Sequence, residues 1–146
     1  MAITQAIANS FKKELLEGEH NFKSSGGDKF KIALYTSSAT LNSATTAFTA
    51  TGEVSNTGQY TSGGGALTNN GTSITAGVAR VDFADRSFTG VTLTARGALI
   101  YNTSATATNA AVCALDFGAD KTATAGVFTI QFPAATSTAA ILRISG

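Results

Sequence analysis

The first twenty residues carry a large apolar side chain at every fourth position. This stripe consists of Ile3, Ile7, Phe11 and Leu15. Side chains spaced by four lie on one face of an α-helix, and most of the charged residues nearby fall on other faces. Thr4 is a suitable N-cap, and Gly18 is suited to the left-handed residue that ends a helix. The pattern therefore predicts an amphipathic helix over residues 4–17.

A helix of this length is marginally stable alone, so its apolar stripe must pack on something. Two interpretations stay open at this point. The stripe covers the open face of the protein's own sheet, or it docks on a neighbouring subunit. We accordingly treat the stripe as a set of candidate interface residues.

The period of the apolar positions changes to two after a turn-like segment at residues 24–28. Phe30, Ile32 and Leu34 alternate with Lys31 and its neighbours, which predicts a half-buried strand. Similar alternation recurs down the chain, and Gly97 interrupts it as a bulge would. The predicted strands are residues 30–35, 78–83, 91–101, 111–117, 127–132 and 139–144. Shorter strands are possible at 52–54 and 59–61.

Short alternating strands bounded by turn residues, without helical spacers between them, favour antiparallel pairing. The predicted fold is mainly β: an antiparallel β-sandwich or jelly-roll-like barrel with one N-terminal α-helix. A length of 146 residues suits one domain. We expect residues 1–22 to form the helix or arm and residues 28–146 the β-domain, with exposed low-complexity loops at 37–51 and 103–108.

Charged residues make up 13% of the chain, against roughly a quarter in an average globular protein, and the net charge is +1. Binding to nucleic acid needs a concentrated basic surface, which this composition does not supply. No apolar run approaches the roughly 18 residues that cross a bilayer, and the N-terminus lacks the pattern of a signal peptide. Neither nucleic acid nor a membrane is expected as a partner.

Residues suited to catalysis are few. His20 is the single histidine, and Cys113, the single cysteine, lies in an apolar strand where a buried, inert thiol is expected. Gly63 begins a run of three glycines that lacks the Lys-Ser/Thr pair of a phosphate loop. We predict no catalytic, cofactor or metal residues.

The carboxylates and the aromatic side chains leave several interpretations open. We interpret three sets of carboxylates as turn caps: Asp82 with Asp85, Asp116 with Asp120, and the loop residues Asp28 and Glu53. The alternatives are a structural cation site and a catalytic site. Tyrosines in strands are either ordinary sheet surface or interface anchors. Tyr35 and Tyr60 therefore join the helix stripe as candidate interface residues.

Five segments together resemble a known family. They are MAITQAIANSFKKELLEGEHNF, FKIALYTSSATL, VARVDFADRSF, TARGALIYNTS and LDFGADKTATAGVFTIQFPA. In this order, and over nearly the whole chain, they are similar to small structural virion proteins of tailed bacteriophages and prophages. The resemblance implies a particle component without enzymatic activity, made in the host bacterial cytoplasm and located in the virion.

The place of the protein in the particle is a separate question. The leading hypothesis is a capsid cement or decoration protein that binds the assembled head as a homo-oligomer, with other copies and the major capsid protein as partners. The first alternative is a tail ring, tube, connector or baseplate subunit. The second is an adhesin that recognises host glycans or receptors through its Thr/Ser/Asn/Gly loops, with Tyr35 or Tyr60 stacking on sugar.

Overall fold

The computed structural model of the chain describes residues 2–136 and 139–145. Within these residues the chain forms one helix and eight strands. They are β1 (Ala6–Ile7), α1 (Asn9–Leu16), β2 (Phe30–Tyr35), β3 (Gly65–Ala66), β4 (Asn69–Thr75), β5 (Val78–Phe83), β6 (Arg86–Asn102), β7 (Ala110–Ile130) and β8 (Leu142–Ile144).

The strands form two antiparallel sheets. The larger has the order β1-β7-β6-β2-β3, and the smaller has the order β4-β5-β8. Aromatic rings join the two sheets: Phe30 of β2 stacks on Phe22 with ring centroids 4.5 Å apart and meets Phe83 of β5 at 5.7 Å. The prediction of a mainly β, sandwich-like fold with one helix is confirmed.

The long pair β6 and β7 spans the larger sheet. The sequence predicted two separate strands at 111–117 and 127–132, but β7 is continuous across the gap between them and ends at Ile130. The predicted bulge at Gly97 is confirmed, because the register shifts between Ala95↔Lys121 and Gly97↔Asp116. Residues 117–120 therefore lie opposite a single residue of β6, and we call them the 117–120 bulge.

The N-terminal segment corrects the predicted helix. Ala6 and Ile7 form β1, which pairs with Ala114 and Cys113 on the edge of β7. The helix begins at Asn9, so the predicted start at residue 4 is wrong. Residues four apart share a face in a strand as well as in a helix, so the spacing fits both. The edge of β7 supplies backbone hydrogen-bond partners for Ala6 and Ile7, and this pairing favours the strand over the helix.

The apolar stripe divides between the core and the surface. Phe11 is 4% exposed and packs against His20 and Phe22, with ring centroids 4.7 and 5.9 Å away. Ile3 is also buried, whereas Ile7 is 37% exposed and Leu15 is half-buried. The helix is therefore anchored on the protein's own core, and part of its stripe still faces outward.

Four further expectations need correction. Strand β2 is buried on both faces except at Lys31, and Tyr60 of the following loop accepts the Leu34 N–H. Segments 52–54 and 59–61 contribute isolated bridges at Glu53 and Tyr60 instead of strands. The loop at 37–51 buries Leu41 completely. The strand predicted at 139–144 shortens to β8, and β3 and β4 were not predicted.

Phe11→Ala is expected to reduce the free energy of unfolding by about 3–5 kcal/mol, the usual cost of removing a buried phenylalanine ring. Leu16→Ala in the same helix is the matched control. Because Leu16 is 90% exposed, its truncation should change stability by no more than about 0.5 kcal/mol. Urea denaturation of both variants measures the difference, and equal losses would contradict the assigned anchoring role of Phe11.

Candidate functional site

His20 lies in a buried polar cluster beneath helix α1. Its Nε2 is 3.0 Å from Glu14 Oε1, and its Nδ1 is 3.0 Å from Asn102 Nδ2. Asn102 Nδ2 also donates to Asp28 Oδ2 at 2.7 Å, and its Oδ1 accepts the Ser104 N–H at 2.8 Å. The cluster ties the helix and the segment after it to the end of β6.

The partners of Asn102 determine the proton positions in this cluster. The Asp28 carboxylate can only accept and the Ser104 N–H can only donate, so the amide has one favourable orientation. Asn102 then donates to Nδ1 of His20, which leaves the Nε2–H to donate to Glu14. Both ring nitrogens of His20 are thus used in holding the fold together.

Glu53 organises the loop that follows β2. Its carboxylate accepts hydrogen bonds from Tyr60 Oη, Ser62 Oγ and the Gly63 N–H, each at 2.7 Å. The Tyr60 hydroxyl in turn accepts the Leu34 N–H at 2.8 Å. One carboxylate thus fixes a loop of eleven residues, 53–63, against the central strands.

Tyr35 and Tyr60 are not surface residues. Both side chains are fully buried, which contradicts the prediction that they anchor a partner or stack on a glycan. The Tyr35 hydroxyl donates to the Thr49 carbonyl at 2.7 Å. Burial raises the pKa of both phenols above its usual range, and it raises the pKa of Tyr101 to about 12. Neither tyrosine is available to stack on a sugar, so that part of the adhesin hypothesis is wrong.

Three further carboxylates of the predicted clusters bond to nearby backbone and side-chain groups. Asp116 accepts the Gly118 N–H at 2.9 Å, and Asp85 accepts the Phe132 N–H at 2.9 Å. Asp82 accepts Asn70 Nδ2 at 3.0 Å. Across the described ranges, no group of three or more His, Cys, Asp or Glu side chains is arranged to hold a metal ion.

An apolar groove of about 490 Å³ lies between helix α1 and the smaller sheet. We call it the α1 groove. The helix contributes Phe11, Leu15 and Leu16, and β1 contributes Ile7. Strands β5 and β8 form the opposite wall. Three of the four stripe residues predicted as interface candidates therefore meet at this groove, while Ile3 is buried elsewhere beside Leu41 and Gly97.

The rim of the groove exposes several large apolar side chains. Leu16 is 90% exposed, Ile144 is 61% exposed and Ile7 is 37% exposed. Single exposed apolar residues are ordinary, but a contiguous group around a concave surface marks an interaction site. The helix period did not indicate Leu16, which is adjacent to the stripe, and Ile144 joins the groove only through the tertiary fold.

The charged side chains that line the groove are all cationic. They are Lys12 on the helix, Arg80 on β5 and Arg143 on β8. Arg80 Nε donates to the Ala135 carbonyl at 2.9 Å. The groove therefore combines an apolar floor with a positively charged rim, in a protein whose overall charge is close to zero.

Comparisons of the chain with protein-family models, curated proteins and solved structures found no match. None of the helices in the described part of the chain has the length and apolar character needed to span a bilayer.

Asn102→Ala is expected to lower the free energy of unfolding by about 3 kcal/mol, since it leaves Asp28 and His20 short of a buried hydrogen-bond partner. Asn70→Ala is the control, because Asn70 is an exposed asparagine that also bonds to an aspartate. Its loss should cost no more than about 0.5 kcal/mol. Thermal and urea unfolding measure both, and a small loss at Asn102 would contradict the role given to this cluster.

Cys113 is expected to resist alkylation in the native protein. Burial raises the pKa of its thiol to about 12, so at mildly alkaline pH the reactive thiolate is scarce as well as inaccessible. Iodoacetamide labelling followed by mass spectrometry should be at least about a hundredfold slower in buffer than in urea, where the pKa returns to its ordinary value. Similar rates in the two conditions would show that the strand pair around Cys113 opens readily.

Proposed function

We propose that this protein is a non-enzymatic structural component of the particle of a tailed bacteriophage, a capsid cement or decoration protein that binds the assembled head as a homo-oligomer. The observation that carries the proposal is the α1 groove, with the exposed side chains of Leu16, Ile7 and Ile144 around it. The resemblance of five segments to small virion proteins points in the same direction.

The groove favours assembly because apolar surface in water is unfavourable by roughly 25 cal/mol for each Å² that a partner would cover. By contrast, the polar groups that suggested chemistry in the sequence serve the fold itself. His20 and Glu53 use their hydrogen-bonding atoms within the chain. The feature directed outward is thus an apolar contact surface.

A cement role suits a small domain with such a surface. A homo-oligomer presents several identical faces to the symmetric sites of a shell, so that individually modest contacts combine into firm binding. The near-neutral charge allows close packing of many copies. The partners under this proposal are other copies of the chain and the major capsid protein.

A tail-associated role is the second candidate, and the free edge of β7 favours it. Strand β1 pairs with β7 at Cys113 and Ala114, and in the described ranges no strand pairs with this edge from residue 117 onward. An exposed edge can extend into a continuous sheet with a neighbouring subunit, as in a ring or tube.

Heads purified from phage that lack this gene test the proposal. Added wild-type protein should cosediment with these heads and raise the temperature at which they release DNA, and reconstructions should show it on the outer shell. Leu16→Asp should reduce the bound amount at least about tenfold, because it places a charge on the apolar contact surface. Ile74→Asp changes another exposed apolar residue outside the groove and serves as the control.

Absence of wild-type protein from the heads would refute the cement role. Binding to tails, or formation of rings or tubes by the purified protein, would support the tail-associated role instead.

A further inference from the structure

We propose that the α1 groove is occupied by the 117–120 bulge of a second copy of the chain, with Asp116 at its base. This inference deepens the proposed function, because it names the contact that holds the homo-oligomer together. It follows from the chemistry of the groove, the chemistry and shape of the bulge, and the position of both along one edge of the larger sheet.

The groove requires a partner that is apolar and acidic. Its charged lining residues are Lys12, Arg80 and Arg143. In the part of the chain that the structure describes, no carboxylate lies within ion-pair distance of Lys12 or Arg80. Nη1 of Arg80 is buried and has no hydrogen-bond partner there. A carboxylate from outside would complement this cationic rim.

The bulge supplies this combination. The segment Leu-Asp-Phe-Gly-Ala-Asp, residues 115–120, places Phe117 between two carboxylates. Asp120 is exposed, and Phe117 is half-buried against Phe128, with ring centroids 6.1 Å apart. The bulge thus presents an aromatic side chain and acidic groups on the same short protrusion.

The shape of the bulge is fixed before any partner arrives. Asp116 Oδ1 accepts the Gly118 N–H at 2.9 Å, and Gly118 has a φ of 81°, which favours glycine. Asp116 also lies 3.5 Å from Arg96 of the paired strand. A preformed protrusion loses little conformational entropy on binding, which favours its role as a docking element.

The groove and the bulge lie near each other along one edge of the larger sheet. Ile7, at the groove, pairs with Cys113, and the Asp116 N–H donates to Gln5 Oε1 at 3.1 Å. The strand from residue 113 to residue 117 separates them by about 13 Å, at 3.3 Å for each residue. The β6–β7 ladder holds the bulge in that position, so it cannot fold into the groove of its own chain. A two-fold related copy can place each bulge at the other's groove.

Sedimentation equilibrium of the purified full-length protein, without heads, tests this contact. The wild type should self-associate, and Leu16→Asp in the groove and Asp120→Lys in the bulge should each raise the dissociation constant at least about tenfold. Added salt should weaken the wild-type association, because screening acts on the exposed carboxylate and cations.

Two controls match these variants. Ile74→Asp places the same charge on an exposed apolar residue outside the groove, and Glu17→Lys reverses an exposed acid outside the bulge. Both should leave the dissociation constant within about twofold of the wild type. Melting curves establish that each variant is folded, which is expected because Leu16 and Asp120 are exposed.

A monomeric wild type would overturn the inference, and so would self-association that Asp120→Lys leaves unchanged, since some other segment would then cover the groove. These results are distinct from those of the head-binding experiment. A monomer that binds heads would refute this contact and leave the cement role intact. An oligomer that does not bind heads would refute the cement role and leave this contact intact.

Discussion

The pairing of β6 with β7 is the constraint on which the rest of the molecule depends. Strand β2 attaches to β6, and β1 attaches to the opposite edge of β7. The register shifts at Gly97, where a side chain would collide with the Leu115 carbonyl and with Ile3. The same shift projects residues 117–120 outward. A single glycine therefore links close packing at the N-terminus to the shape of the free edge.

Buried polar groups secure the irregular segments to this ladder. Asn102, at the end of β6, connects Asp28 and His20, and Glu53 performs the equivalent task for residues 53–63. Loops rich in serine, threonine and glycine bury little apolar surface, so they gain order chiefly from hydrogen bonds. Among these side chains, His20, Asp28 and Glu53 are of types that suggest chemistry in the sequence. Their hydrogen-bond partners are not adjacent in the sequence, so these partners become apparent only in the folded structure.

Local pattern predicted the strand content and the bulge at Gly97, since alternation and its interruption are local properties. The prediction failed where contacts with a segment distant in the sequence determined the local structure. Ile7 fits a helix and a strand equally, and the edge of β7 selected the strand. Tyr60 carries no local sign of burial, because Glu53 and Leu34 enclose it through tertiary contacts. For the groove, the helix stripe predicted Ile7, Phe11 and Leu15, but Ile144 arrives from the far end of the chain.

Helix α1 has apolar side chains in two directions, and stability of the monomer explains one of them. Phe11 points into the core, where its burial fixes a helix of eight residues that would not persist alone. Leu16 lies about 140° further around the helix, at 100° for each residue, and remains 90% exposed. A polar residue at this position would cost the fold little. Burial of Phe11 therefore holds the helix in place. An apolar residue at position 16 is explained by a contact with a partner, which the isolated chain does not contain.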